Sequence, residues 1–276
     1  MSVRRFRASA SALVLAAVTA LGLANPASAA GTTASTSAGT AAVGGYVALG
    51  DSYSSGVGAG SYIADSGDCR RSTLAYPYLW AAKKSPSSFA FVACAGATTA
   101  SVAKSQLSAL RPSTALVSVT VGGNDVGYAD VMRDCVLSTE ATCLKSVKTA
   151  VSRMNKSLPS GLDSLYRGIH AKAPRAHVVV LGYPRFYHLG GGCAAGLTEA
   201  ERSAINRAAD VLNGVLAKRA ADIGFTYSSV VDEFTGHEIC SRAPWLRSVA
   251  FPVHNSYHPN ASGQAHGYLP ALRSAL

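Results

Sequence analysis

Tyr46-Val47-Ala48-Leu49-Gly50-Asp51-Ser52-Tyr53-Ser54 is a short apolar run that stops on a glycine, an acid and hydroxyl-bearing side chains. Residues 46–50 are too few for an ordinary helix and are bounded by turn chemistry, so they read as a buried strand. Working outward, residues 89–94, 115–121, 177–182 and 225–231 are further apolar, β-rich runs. Helices are predicted between them, over about 74–84, over about 141–172 with a break near Pro159, and over 199–222. Thr198 and Glu201 form a capping-box signature before the last of these, and Ile205, Ala209, Leu212 and Leu216 recur along one face. A final helix is predicted from Ser262 to the end. Five strands alternating with helices predict an α/β chain with a parallel sheet covered on both faces.

In such sheets ligands bind outside the carboxyl ends of the strands. After the first strand comes Gly50-Asp51-Ser52-Tyr53-Ser54, after the second Cys94-Ala95-Gly96-Ala97-Thr98, and after the third Gly122-Gly123-Asn124-Asp125. Asp232 follows the fifth strand, and the loop before the last helix holds His254 and His258. A hydroxyl, a glycine turn, a carboxamide and an imidazole on one rim form a constellation for acyl transfer. Ser52 would attack an ester carbonyl while neutral His258 takes its proton, and the N–H groups of Ser52 and Gly96 with the Asn124 amide would hold the oxyanion. Neither metal nor cofactor is required. Taken singly, each block has a plainer reading: Asp-Ser caps helices, and Gly-Gly-Asn-Asp is turn chemistry in most proteins. His254 is a rival base. His170, His177, His188, His237 and His266 are taken as structural or solvated.

Composition narrows the classes further. The chain has 276 residues, 48% hydrophobic and 14% charged, enough to bury a core and too apolar for disorder. Arg4, Arg5 and Arg7, the apolar stretch 8–23 and the Ala27-Ser28-Ala29 site read as a signal peptide over 1–30, with cleavage after Ala29 or Ala30. Residues 31–44 read as a flexible leader, leaving 45–276 as the folded domain and secretion as the expected destination. The net charge of +10 falls to +7 without the three arginines of the signal. The remaining basic residues are scattered, unlike a nucleic-acid footprint, so no nucleic-acid partner is expected. Transient attraction to anionic lipid surfaces is a secondary expectation, and a monomer the expected state.

Cys69, Cys94, Cys135, Cys143, Cys193 and Cys240 form an even set with neither a Cys-x-x-Cys pair nor a zinc spacing. In an exported chain three disulfides are expected. Of the possible pairings, sequential neighbours are favoured: 69–94, 135–143 and 193–240. Gly50-x-Ser52-x-Ser54 lacks the second glycine of a nucleophile elbow, and neither a phosphate-binding loop nor a His-Glu-x-x-His motif occurs.

Gly50-Asp51-Ser52-Tyr53, the glycine of 94–98, Gly122-Gly123-Asn124-Asp125 and the histidine of Tyr257-His258-Pro259-Asn260 together resemble the four sequence blocks of SGNH (GDSL-type) hydrolases. Residues 174–184 and 236–245 look like the secreted actinobacterial lipase/esterase branch of that family. The resemblance covers about residues 45–276. It implies a three-layer α/β/α, flavodoxin-like fold with a central five-stranded parallel sheet, and hydrolysis of carboxylic esters, lipid esters foremost. Polysaccharide deacetylase is the competing enzyme class, an acyltransferase differs only in its acceptor, and a non-catalytic binding module is the third. By the same matching Ser52 is the nucleophile, His258 the base, and Gly96 and Asn124 the oxyanion donors.

One position departs from the family pattern. The acid expected three residues before the catalytic histidine is replaced by Asn255. Three groups are candidates to orient His258: the Asn255 side chain, a main-chain carbonyl of Asn255 or Ser256, and Asp232. The main-chain carbonyl is favoured, which makes a Ser–His dyad. Activity is then expected to fall as pH drops through about 6–7, the ordinary histidine range. Tyr53, Phe186, Tyr187, Phe234, Trp245 and Phe251 are candidate pocket walls.

Overall fold

The structure, a computed structural model, describes residues 44–193 and 196–276. The expected signal peptide, 1–30, and all but the last residue of the leader, 31–44, lie outside the described residues. A five-stranded, wholly parallel sheet forms the centre, from β1 (Gly45–Gly50), β2 (Phe89–Phe91), β3 (Thr114–Thr120), β4 (His177–Leu181) and β5 (Thr226–Ser228). Its order is β2-β1-β3-β4-β5.

The first apolar run behaves as its composition dictates. Every residue of β1 is buried, because parallel strands on both sides and helices on both faces leave it no solvent edge. Its one hydroxyl is satisfied inside the sheet, where Tyr46 Oη meets Ser118 Oγ of β3 at 2.7 Å.

The helices are α1 (Ser52–Ser55), α2 (Tyr76–Lys84), α3 (Thr99–Ser105), α4 (Tyr128–Leu137), α5 (Glu140–Lys156), α6 (Leu158–Lys172), α7 (Glu199–Asp222), α8 (Val231–Phe234) and α9 (Leu269–Ser274). Helix α2 packs with α9 in one layer, while α3 packs on α6 and α5, α6 and α7 pack together in the other. The break expected near Pro159 falls between α5 and α6, with the proline in the first turn of α6 where its missing N–H costs nothing. The Thr198–Glu201 capping box opens α7: the Glu201 N–H donates to Thr198 Oγ1 at 3.2 Å and the Thr198 N–H to Glu201 Oε2 at 2.8 Å.

The observed elements differ from expectation in their bounds. The fifth strand is shorter than the apolar run 225–231. Val230 leaves the extended region, and Val230 and Phe234 are buried one turn apart, so the run's end serves the short helix α8 rather than the strand. The predicted terminal helix is present, and a π-helical turn, Gly263–Tyr268, runs within it before α9. Helices α3 and α4 lie outside the stretches predicted as helical from the sequence. The three disulfides join Cys69 to Cys94, Cys135 to Cys143 and Cys193 to Cys240, the sequential pairing expected.

In the order 2-1-3-4-5 the chain leaves β1 toward β2 on one side, and β3 lies on the other. The crevice outside the carboxyl ends of β1 and β3 is therefore the topological switch point. Ser52 follows β1 and Asn124 follows β3, so both candidate groups fall there.

Candidate active site

Ser52 is set by what surrounds the end of β1. The Gln106 side chain clamps Gly50 from both sides, its Oε1 accepting from the Gly50 N–H at 2.8 Å and its Nε2 donating to the Gly50 carbonyl at 2.9 Å. Asp51 caps α1 by accepting from the Tyr53 N–H at 2.9 Å. Ser52 is thus the first residue of a helix, and its N–H is one of the first-turn donors that have no intrahelical acceptor. Ser52 as a residue is 8% exposed.

His258 completes the pair. Its Nε2 lies 2.8 Å from Ser52 Oγ, and its Nδ1 lies 2.8 Å from the Ser256 carbonyl. A carbonyl can only accept, so Nδ1 carries the proton and the Nε2 lone pair faces the serine hydroxyl. Of the three orienting candidates, the main-chain carbonyl of Ser256 occupies the position. The Asn255 side chain points elsewhere, its Oδ1 accepting from the Tyr62 hydroxyl at 2.7 Å. Asp232 falls in α8 and makes neither a hydrogen bond nor an ion pair with His258. The loop bend that turns the Ser256 carbonyl onto the ring, not any carboxylate, sets the imidazole's orientation.

That bend passes through Tyr257, a non-glycine residue at φ +61°. L side chains adopt this region at a cost of about 1–2 kcal/mol, and it persists only when the surroundings over-determine it. Two hydroxyls do so here. Tyr53 Oη donates to the Tyr257 carbonyl at 2.6 Å and Tyr128 Oη donates to the same atom at 2.9 Å. Neither tyrosine was singled out for this from sequence. Tyr53 adjoins Ser52 in the first block, which is its only signal.

The two residues expected to donate to an oxyanion, Gly96 and Asn124, arrive on separate turns. Gly96 follows β2 at φ +77°, in a loop pinned by the Cys69–Cys94 disulfide and by the Ala95 N–H donating to the Cys69 carbonyl at 3.1 Å. A Cβ at Gly96 would meet nothing within 4 Å, so the left-handed backbone, rather than crowding by neighbouring atoms, is what calls for glycine. Asn124 Nδ2 donates to the Ala97 carbonyl at 3.0 Å, which uses one amide hydrogen and leaves the other. Asp125 accepts from the Thr99 N–H, tying the Asn124 loop to the start of α3. The Tyr183 hydroxyl bridges both loops, donating to Asp51 Oδ2 at 2.5 Å and accepting from the Gly123 N–H at 3.2 Å.

Burial shapes the titration of the site. Desolvation pushes the His258 imidazole down to about 4, with the nearby His254 acting in the same direction, and the bond to Ser256 offsets part of it. The expected acid limb at pH 6–7 therefore moves to lower pH. Desolvation raises the Asp51 carboxyl to about 7, against the lowering effect of its hydrogen bonds from Tyr183 and Tyr53.

A cleft of about 580 Å³ opens over Ser52, Gly96, Asn124 and His258, walled by Tyr128, Met132, Val136, Leu137, Val249 and Val253. His254 lines it without bonding Ser52, so the rival base is not the serine's partner. A small apolar cavity of about 50 Å³ lies behind Ser52 and Asn124 against Tyr53, Phe186 and Leu212. The other expected walls are not walls. Tyr187 and Phe234 belong to the core, Trp245 stacks on His237 at 3.6 Å, and Phe251 is 93% exposed.

Residues 48–266 match the GDSL-like lipase/acylhydrolase family. Over 276 residues the chain is 55% identical to Lipase 1 of Streptomyces coelicolor, covering 99% of this chain and 100% of that one. It is 53% identical over 275 residues to a lipase of Streptomyces rimosus, with both chains covered in full, 100% each. A phospholipase A1 from Streptomyces albidoflavus superposes with a TM-score of 0.84 at 60% identity, over 85% of this chain and 100% of that one. The extracellular lipase of Streptomyces rimosus superposes at 0.83 and 56% identity, with the same coverage. With sheet order, blocks and whole-chain similarity in agreement, the chain belongs to the GDSL-like lipase/acylhydrolase family.

Proposed function

We propose that this carboxylic ester hydrolase is exported and cleaves lipid esters through a Ser52–His258 dyad, without metal or cofactor. The 2.8 Å contact between His258 Nε2 and Ser52 Oγ, with Nδ1 committed to the Ser256 carbonyl, carries the reading. Ser52 Oγ attacks the ester carbonyl and its proton passes to Nε2. The oxyanion is received by the N–H groups of Ser52 and Gly96 and the spare Asn124 amide hydrogen. Collapse expels the alcohol, which takes the proton back from His258, and leaves the acyl group on Ser52. Water, deprotonated by the same imidazole, then releases the acid and restores the serine.

The walls of the cleft favour an acyl chain over a sugar. Tyr128, Met132, Val136, Leu137, Val249 and Val253 offer apolar contact area. The relatives described above include lipases and a phospholipase A1, which supports the same substrate class. Export rests on the signal-like residues 1–30, with cleavage after Ala29 or Ala30, and on an extracellular lipase among the similar structures. All site residues come from one chain, so the reading needs only a monomer.

Hydrolysis of p-nitrophenyl esters from two to sixteen carbons, beside Ser52→Ala, tests it. The expected result is activity on medium or long chains that vanishes in the variant. Activity confined to acetate would point to the deacetylase, and a folded, oxidised protein inactive at every length to a binding module.

A further inference from the structure

Five large apolar side chains among the described residues are more than half exposed: Leu137 at 75%, Val249 at 53%, Phe251 at 93%, Val253 at 69% and the terminal Leu276 at 53%. Four of these five share one place. Leu137, Val249 and Val253 line the mouth of the cleft that holds Ser52 and His258, and Phe251 lies between the two valines in the chain. Apolar side chains exposed singly need no explanation, whereas a set that rims a site does.

The segment that carries three of them is built, not loose. Its two legs pair with each other: the Tyr257 N–H donates to the Arg247 carbonyl at 2.9 Å, and the Arg247 N–H to the His258 carbonyl at 2.9 Å. The Ala250 N–H donates to Ser256 Oγ at 2.9 Å, closing the arm below its turn. Phe251 therefore stands outward on a braced arm, at residues 247–257. The same arm includes Ser256, whose carbonyl holds the His258 ring.

Charge indicates what the arm meets. Residues 239–276 contain no Asp or Glu, but include Arg242, Arg247 and Arg273. The cleft's own arginines are locally balanced, Arg70 by Asp68 and Arg133 by Asp130 and Asp134. The pull on a partner therefore comes from the overall surplus, +7 once the three arginines of residues 1–30 are set aside. An acid-free apolar arm on a cationic body fits an anionic apolar aggregate, to which charge brings it and into which apolar side chains hold it.

We propose that the arm 247–257, together with Leu137, docks this chain on the surface of anionic lipid, with Phe251 seated among the acyl chains and the cleft mouth turned toward its substrate. The inference rests on the lipid-ester reading and adds the surface that makes the encounter.

Co-sedimentation with phosphatidylcholine vesicles, with and without phosphatidylglycerol as the anionic component, tests it in the mature protein. Phe251→Ser should bind the anionic vesicles about tenfold less well than the parent while hydrolysing soluble p-nitrophenyl butyrate at the parent's rate. Equal binding by parent and variant overturns the assignment of the arm, and equal binding to both vesicle types overturns the anionic partner. A parent that dimerises without lipid, and that Phe251→Ser makes monomeric, gives the face to a second copy instead. Should Phe251→Ser fold poorly, Phe251→Trp keeps the question open to measurement. Its indole emission should shift to the blue on anionic vesicles, and an unshifted spectrum refutes insertion. Loss of the p-nitrophenyl butyrate activity in the parent would instead strike the esterase reading and leave vesicle binding to be scored separately.

Discussion

The Tyr53 hydroxyl donates to the backbone carbonyl of Tyr257 at 2.6 Å, joining the residue after Ser52 to the residue before His258 across 204 positions of chain. Tyr128 donates to the same carbonyl at 2.9 Å. These bonds hold Tyr257 in its left-handed conformation, and that conformation aims the Ser256 carbonyl at His258 Nδ1. Where a triad would use a carboxylate to orient the ring, this chain uses a braced backbone.

Removing the braces should slow the chemistry more than it weakens binding. A hydrogen bond of this kind contributes about 0.5–1.5 kcal/mol, so Tyr53→Phe and Tyr128→Phe should each lower kcat by about two- to tenfold. The double variant should lose more than either single change. KM for a short soluble ester should stay within about twofold, because the phenyl rings and the cleft wall remain. Steady-state kinetics on p-nitrophenyl butyrate check this, and a KM rise without a kcat loss would show that the hydroxyls serve binding instead.

Asn255 occupies the position at which the sequence comparison expected an acid, yet its Oδ1 bonds Tyr62 rather than the imidazole. Asn255→Ala should therefore retain activity within about tenfold, the cost of one exposed hydrogen bond and some loosening of the arm. A loss beyond a hundredfold would mean that the side chain acts on His258 during turnover. Asn124→Ala is the contrasting case. It removes the amide proposed to receive the oxyanion, and a loss of about 10²–10³ in kcat is the usual scale for such a donor.

What could be read from the sequence followed from local chemistry. The run 46–50 is a buried strand because nothing in it is charged, and the groups after β1, β2 and β3 meet because parallel strands end at one rim. The boundary of β5 was misread because Val230 and Phe234 are apolar for the sake of a helical turn, which a short run cannot distinguish from a strand. The supports of the site were silent for a different reason. Gln106 clamps Gly50 from 56 positions away, Tyr183 meets Asp51 from 132 away, and Tyr53 meets Tyr257 from 204 away. Buried glutamine and tyrosine carry no periodicity or spacing that announces such partners, and only the fold brings them together. The same holds for the choice of Ser256 over Asp232, since a backbone carbonyl has no sequence signature.

The Cys69–Cys94 disulfide should matter to activity as well as stability. It closes a loop across a sequence separation of 25 and ends two residues before Gly96. By loop closure its loss should cost about 3–4 kcal/mol. Cys69→Ser with Cys94→Ser should lower the Tm by several degrees. At temperatures where the variant remains folded it should also lower kcat, since the Gly96 N–H loses one anchor of its turn. An unchanged kcat alongside a lowered Tm would confine the bond to a purely stabilising role.

Two buried groups titrate in opposite senses across one pH window. The His258 imidazole sits at about 4 in the fold against an ordinary value of 6.5, so the unfolded chain binds more protons and stability falls as pH drops from about 6.5 toward 4. The Asp51 carboxyl sits at about 7 against an ordinary 3.8, so here the folded chain binds more protons and stability falls as pH rises from about 4 through 7. Between those limits the two slopes oppose each other, and their joint contribution to Tm should be nearly flat from about pH 4.5 to 6.5. Asp51→Asn removes one slope and exposes the other, so its Tm should fall as the solution is acidified over that range. His258→Gln does the reverse, leaving a Tm that falls as pH rises toward 7. Thermal melts of the three proteins at half-unit steps measure this directly. Parallel curves for parent and Asp51→Asn would mean that the carboxyl is not held protonated by the fold. The activity of the parent follows the same imidazole: kcat/KM should persist well below pH 6 and lose half its value near pH 4, provided that the melts show the protein still folded there.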